Sequence, residues 1–333
     1  MSYIYRKAKP EDVRPALDLA LDVFMEFDAP DYGPEHTERM RLSIEDRINN
    51  FDDYLLDERL MFVALDHIKV VGVIETYGNS YQKNRIGLMF VNSNYQRQGI
   101  ATELMNLAIC ELKMSGYDKI ALNSSPHGLP FYTHYGFTPV VTEKNINTPW
   151  KTPMEYIPKE IWDVLDKDGN KTGRYHERAR PMATEDYHLA VHVWKYNGKG
   201  KWLLDKRAYR TPDDIGGGKW ETTGGAAIAG EDSLTAALRE TKEELGIELD
   251  PAKGKLFRQF ANHVSDEHRC LIDVWVFEHD CAIKELHFQT RETCGAMWAT
   301  ADQIRELIRN NEFFSEARSY FDEMTEDWGK NNG

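Results

Sequence analysis

The run Gly225–Ile247, GAAIAGEDSLTAALRETKEELGI, decides how the second half of this 333-residue chain is read. Gly225, Glu231, Arg239, Glu240, Glu243, Glu244 and Gly246 stand in the pattern G-x5-E-x7-R-E-x2-E-E-x-G. The spacing predicts a helix over 232–245, with Asp232 or Ser233 capping its start and Gly246 supplying the left-handed residue that ends it. Leu234, Leu238, Thr241 and Leu245 recur with a helical period and mark the side that packs inward. Glu240, Glu243 and Glu244 share another face. Carboxylates that close repel one another and weaken an isolated helix, whereas Mg²⁺ or Mn²⁺ would turn the repulsion into coordination. A lone Glu-Glu pair would mean only a solvated acidic helix. Seven fixed identities at roughly 6–7% usage each arise by chance on the order of 10⁻⁸ per window, so chemistry explains the pattern better.

The segment resembles the signature box of the Nudix hydrolases, which cleave nucleoside diphosphates linked to another moiety. Thr241 stands where that family usually has an aliphatic residue, and its methyl group can pack there. The resemblance covers about 158–333 and implies an α/β/α sandwich. It also implies that Glu240, Glu243 and Glu244 hold Mg²⁺ (or Mn²⁺), that Arg239 orients the glutamates by ion pairing, and that a carboxylate takes the proton of the attacking water. Glu292, in QTRETCGAMW, lies where some relatives put a base on a late loop; a surface role is the other reading. The wider similarity is to the branch resembling isopentenyl diphosphate isomerase, through IWDVLDKDGNKTG and the strand carrying His188 and His192. Those histidines lie on one sheet face, where the isomerases put metal ligands and where core histidines are commoner. The isomerases also need a cysteine just before the glutamate-bearing segment. Here the stretch is Thr222-Thr223-Gly224-Gly225. The reading is hydrolase, not isomerase.

A chain of this length predicts two domains, each large enough for its own core. Hydrophobic residues at 41% and charged residues at 29% describe a globular protein, and no apolar run reaches membrane-spanning length. The start MSYIYRKAKPEDV has no secretory apolar region, and Cys110, Cys270, Cys281 and Cys294 show no ligand spacing. A cytoplasmic protein with reduced thiols is expected. The net charge of −14 argues against a nucleic-acid polymer or an anionic membrane as partner, though not against nucleotides held by glycine loops and metal.

In the first half, a short strand (SYIYRKA) precedes a helix from Pro10 to about Phe27 and a second over Glu35–Asn50. Strand-like runs follow at Leu60–Asp66, Val70–Tyr77, Arg85–Val91 and Lys119–Asn123. Between the last two stands Gln96-Arg97-Gln98-Gly99-Ile100-Ala101, where a glycine turn opens a helix whose N-terminal N–H groups and dipole suit a pyrophosphate. Further on, PFYTHYGFTPV carries Tyr132, Gly136 and Phe137 in the spacing Y-x3-G-F.

That ordered pair of motifs resembles the GNAT family of acetyl-CoA-dependent N-acetyltransferases over about 1–157. The resemblance implies that Gln96, Arg97, Gln98, Gly99, Ile100 and Ala101 hold the pyrophosphate of coenzyme A. It implies that the backbone around Leu88, Phe90 and Val91 pairs with the pantetheine arm. Tyr132 matches the tyrosine that in many members protonates the leaving thiolate, and Glu75 lies on the strand where many place a base for the acceptor amine. An aromatic core residue and an ion-paired strand carboxylate are the competing explanations for these two.

The proline-bearing stretch 145–160 reads as a closing strand and a connector, with the boundary near Ile157–Pro158. A hairpin turning at Asp168-Gly169-Asn170 follows, then strands at Tyr187–Tyr196, Lys201–Ala208, Lys255–Asn262 and Leu271–His279, and helices at Ala301–Arg309 and Phe313–Thr325. The expected fold class is α/β (α+β): a GNAT mixed sheet flanked by helices over 1–157, then a Nudix sandwich over 158–333. The expected activity is bifunctional, acetyl transfer from acetyl-CoA to a primary amine beside Mg-dependent cleavage of a small-molecule diphosphate, with a homodimer allowed. The alternative is a ligand sensor, above all a non-catalytic acetyl-CoA-binding first half.

Overall fold

The computed structural model describes residues 3–50, 60–76, 84–140, 151–211, 214, 216–265, 268–314 and 316–332. Two units divide the chain: Met1–Ile161 with Glu177–Ala179, and Trp162–His176 with Arg180–Gly333.

The first unit starts with β1 (Ile4–Lys7) and α1 (Pro10–Val23). Pro10 takes the first helical position, where no N–H is needed, and Asp12 caps the turn by accepting from the Lys9 N–H at 2.7 Å. The helix expected through about Phe27 runs on to Asp28, but its final turn is not α-helical. Its last residues, Phe24–Asp28, widen into one π-helical turn, and Pro30, which cannot donate to a continuing helix, follows. After α2 (Pro34–Asn49), the strands β2 (Met61–Asp66), β3 (Lys69–Thr76) and β4 (Ile86–Val91) join β1 in an antiparallel sheet of order β1-β2-β3-β4. Tyr77, expected at the end of β3, lies outside the described residues.

α1 covers one face of this sheet through Val13, Leu17 and Ala20. On the other face, α3 (Ile100–Met114) packs Ile100, Leu104 and Ala108. It lies so close that a Cβ on Gly72 would sit 2.9 Å from Ile100 Cγ2. Next come β5 (Ile120–Ser124), α4 (Leu129–Tyr135), β6 (Thr138–Pro139) and β7 (Thr152–Tyr156), whose strands form a second sheet of order β5-β7-β6. Among the described residues no ladder joins β4 to β5; a single parallel bridge, Arg85–Ala121, links the chain just before β4 to β5, and the two sheets splay apart beyond it. Residues 141–150, part of the expected connector, lie outside the described residues.

The second unit holds most of the hairpin β8 (Ile161–Leu165) and β9 (Lys171–Glu177). Its turn is closed by Asp166, whose Oδ1 accepts from the N–H groups of Asp168 and Asn170 at 2.9 Å, with Gly169 at φ +83°. β10 (His188–Tyr196) is central. It runs parallel to β15 (His268–Glu278) on one edge and antiparallel to β11 (Lys201–Arg207) and β13 (Thr223–Ala226) on the other. β12 (Trp220–Glu221) and β16 (Thr293–Thr300) pair with β11, and β14 (Gly254–Ser265) pairs with β15.

β16 is absent from the sequence-based expectation. Its Gly295 and Ala296 are poor strand formers, and a seven-position register with β11 makes the strand. The helix expected from Phe313 starts at Phe321 instead, because the backbone of Glu312 and Phe314 is bonded to Trp220. α5 (Ser233–Leu245) lies on the sheet face of Val191, Val193 and Leu203. α6 (Ala301–Arg309) and α7 (Phe321–Asn332) cover the face of Trp194, Trp202 and Ile272. The result is helix, mixed sheet, helix: the α/β/α layering expected for this half.

Candidate active sites

Asp232 caps α5, its Oδ1 accepting from Thr235 N at 2.7 Å, and Gly246 ends it at φ +71°. The inward face is rotated from, and wider than, the predicted side, whose Leu234 and Leu238 still pack against the same core. Ala236, Ala237, Thr241 and Leu245 are fully buried, while Leu234 and Leu238 are only partly so. That rotation brings Glu240 and Glu244 under the helix, 9% and 6% exposed, and leaves Glu243 in solvent. The three glutamates are therefore not one equivalent cluster.

Arg239 ties the outer part together. Its guanidinium reaches Glu231 at 2.7 and 2.9 Å, Glu240 at 2.9 Å, Glu243 at 3.1 Å and the carbonyl of Ala226 at 3.0 Å. The two glycines before the helix are explained by close approach. A Cβ on Gly224 would lie 2.6 Å from the carbonyl oxygen of Val191, and one on Gly225 would fall within the Glu240 carboxylate.

Beneath α5 lie charged residues that the sequence reading passed over. Glu221 pairs with Arg207 at 2.8 Å, and burial pushes its carboxyl up to about 7, with Arg207 opposing. Asp205 and Lys195 are fully buried, their ionic atoms 3.7 Å apart. Burial also holds the Glu244 carboxyl well above the usual carboxylate range; Asp205, Glu221 and Glu240 push the same way and Lys195 opposes. Glu244 Oε2 is buried and has no hydrogen-bond partner. The alternation of YHLAVHVWKY held the clue, since Lys195 falls on the same face as Val191 and Val193 and cannot be a solvated lysine there.

Among the described residues, no group of three or more His, Cys, Asp or Glu side chains is gathered as a ready metal cage. The chemistry nevertheless suits a hard divalent cation: a buried carboxylate oxygen without a partner, crowded by other carboxylates, needs positive charge. His188 and His192 supply none of it. His188 stacks on Trp162 at 4.1 Å, and His192 Nδ1 meets the Tyr320 hydroxyl at 2.7 Å, with burial pushing its pKa down to about 4. Glu292 pairs with Arg210 at 3.6 Å. Arg207 stacks over Phe314 at 4.3 Å, and Phe314 lines a cleft of about 650 Å³ with Phe260, Asn262, Asn311 and Arg318.

In the first unit, Gly99 starts α3 at φ +83° and Arg97 is also left-handed at φ +60°, with Arg97, Gln98 and Gly99 exposed. No side chain caps this helix start. Gln96 Nε2 donates to the Val91 carbonyl at 3.2 Å, while Gln98 accepts from the Tyr3 hydroxyl and reaches Asn94 O at 3.4 Å. Ile100 is core, and Ala101 packs against it. Leu88, Phe90 and Val91 point into the two cores, so what β4 offers toward the splay is backbone.

Tyr132 is buried on α4 in edge contact with Phe131 and Phe137, and burial lifts its hydroxyl above the usual tyrosine range, with Asp28 and Tyr32 adding to the effect. Asp28 closes the π-turn; its Oδ1 is buried without a hydrogen-bond partner. Glu75 is fully buried and accepts from Arg47 Nη1 at 3.2 and 3.4 Å.

Family models agree with this division of structure. One described as NUDIX domain matches residues 186–320, and one described as Acetyltransferase (GNAT) domain matches residues 28–158. An uncharacterized Nudix hydrolase of Listeria monocytogenes is 31% identical over 155 residues, covering 46% of this chain and 88% of that protein. The chain belongs to the Nudix hydrolase family. Ahead of its Nudix domain it carries a GNAT domain. An isopentenyl-diphosphate Delta-isomerase of Streptomyces griseus is 30% identical over 120 residues, 31% of this chain and 58% of that protein. A solved structure of the PaiA N-acetyltransferase from Thermoplasma acidophilum in complex with coenzyme A covers 47% of this chain and 99% of its own, with 22% identity and a TM-score of 0.39. No helix among the described residues is long and apolar enough to cross a membrane.

Proposed function

We propose that the Nudix domain hydrolyses a diphosphate bond in a small nucleoside-diphosphate-type molecule and that the GNAT domain transfers acetyl from acetyl-CoA to a primary amine. The observation that carries the first half is Glu244 Oε2, a buried carboxylate oxygen with no partner beside Glu240, Glu221 and Asp205. Glu240, Glu243 and Glu244 are the residues that would hold Mg²⁺ or Mn²⁺. The cation would supply charge neutralisation for the diphosphate and a bound water of lowered pKa. Arg239 keeps Glu231, Glu240 and Glu243 in place, and the Phe314 cleft is where the organic part of the substrate would rest. A threonine pair before Gly224 in place of a cysteine supports hydrolysis over isomerisation.

In the GNAT domain the exposed turn 97–99, at the start of an uncapped helix, would hold the coenzyme A pyrophosphate, and the free edge of β4 would pair with the pantetheine arm. The raised pKa of Tyr132 keeps its hydroxyl protonated, and Tyr132 would be the proton donor to the leaving thiolate. A base role for Glu75 requires its Arg47 pair to open. That pair favours a second reading of this domain, as an acetyl-CoA-binding sensor without turnover.

Purified full-length protein screened against nucleoside diphosphate compounds, with and without Mg²⁺, tests the first half. Metal-dependent release of phosphate or mononucleotide is expected, and none across the panel would overturn it. Thiol release from acetyl-CoA across an amine panel separates transferase from sensor.

A further inference from the structure

Three polar side chains fill the space between β10, β11 and β13 under α5. Lys195, Asp205 and Thr223 are each fully buried. The Lys195 ammonium donates to the Thr223 hydroxyl, and that hydroxyl donates to Asp205 Oδ2. Register explains how they meet: Thr223 lies opposite Val193, two residues before Lys195, and Leu203, two before Asp205, lies opposite Lys195. The Asp205 carboxyl in turn adjoins that of Glu244.

Buried ion pairs of this kind are poor stabilisers. Well-packed apolar residues of similar volume usually do as well or better, because two desolvation penalties offset the attraction. Stability therefore does not account for a lysine and an aspartate here. Position does. One ammonium serves two carboxylates, and the threonine hydroxyl directs it toward Asp205, not Glu244. Asp205 is in turn hydrogen-bonded to the Glu244 carboxyl, and the oxygen Oε2 of Glu244 is left without a partner.

We propose that Lys195, Thr223 and Asp205 form a positioning assembly for Glu244, holding its carboxylate so that one oxygen stays available to a divalent cation. The inference rests on the hydrolase reading. Lys195 and Asp205 act through Glu244 and touch no substrate. Removing Asp205 frees Lys195 to turn to Glu244 and occupy that oxygen; removing both lets the carboxylate drift.

The test uses the full chain, free Mn²⁺ measured by electron paramagnetic resonance, and thermal melting. The double variant Lys195→Met/Asp205→Leu is expected to melt at or above the wild-type temperature, yet to bind Mn²⁺ roughly tenfold or more weakly, the scale of loss when supports of metal ligands are removed. Asp205→Asn keeps the shape and removes the charge; it is expected to weaken Mn²⁺ binding as well, and it carries the test should the double variant not fold. Mn²⁺ affinity unchanged within about twofold in either folded variant overturns the proposal. A wild-type protein that neither binds Mn²⁺ nor cleaves any diphosphate overturns the hydrolase reading itself, and the two failures are distinct.

Discussion

Replacing Gly225 with alanine adds one methyl group where the Glu240 carboxylate already is. The backbone is no obstacle, since Gly225 is outside the left-handed region. Glu240 must swing away, and it gives up the 2.9 Å bond from Arg239 in a buried position where water offers little in exchange. A hydrogen bond between charged groups contributes about 1.5–3 kcal/mol. Alanine returns about 0.4–1 kcal/mol by restricting the unfolded chain. The net loss is about 1–2 kcal/mol, or a fall of roughly 2–8 °C in Tm for a domain of this size. Metal affinity and hydrolysis should suffer far more, by roughly tenfold to a hundredfold, because the displaced group is a proposed ligand. Gly224→Ala is the control: its Cβ would meet the carbonyl of Val191, and that backbone, held in the β10–β13 ladder, cannot yield. There the stability loss should be the larger one. Melting curves, Mn²⁺ titration and phosphate release measure all three quantities. A Gly225→Ala protein with wild-type affinity and rate would refute the close packing of glycine on Glu240 as a functional constraint.

Glu243→Gln and Glu244→Gln should each remove most hydrolysis, but only Glu244→Gln should raise the metal-free melting temperature near neutral pH, since it removes the cost of burying a carboxyl that ionises freely in the unfolded chain; matching melts for the two would contradict their different burial. Tyr132→Phe is expected to lower acetyl transfer at saturating acetyl-CoA while calorimetric affinity for coenzyme A stays nearly constant; weakened binding at an unchanged rate would make the hydroxyl structural. His192, held neutral with a pKa of about 4, contributes stability that is present above the unfolded value near 6.5 and lost as pH falls to 4, about 3 kcal/mol in all. His192→Gln should flatten the denaturation midpoint across that window. Glu221, raised to about 7, acts with the opposite sign: its contribution is present below about 4.5 and lost as pH rises through 7, so Glu221→Gln should gain on wild type in that range.

The sequence by itself determined the pieces whose signal is local. Capping chemistry and helical period marked α5 and its ends, because Asp232 and Gly246 act on backbone groups within a turn of themselves. The two families were legible for the same reason: their motifs are short, and the spacing within each is set by one helix start or one turn. Tertiary packing decided the rest. Which face of α5 is inward depended on the sheet beneath it, so Glu240 and Glu244 went under while Glu243 stayed out. β16 became a strand only against β11, and the residues after Glu312 stayed non-helical only because Trp220 took their backbone bonds. The charged floor of the site joins residues from three strands, Lys195, Asp205 and Thr223, that no window of sequence holds together. The lysine on an apolar strand face was the one local sign of it, and its partners could be known only from the register that brought the strands side by side.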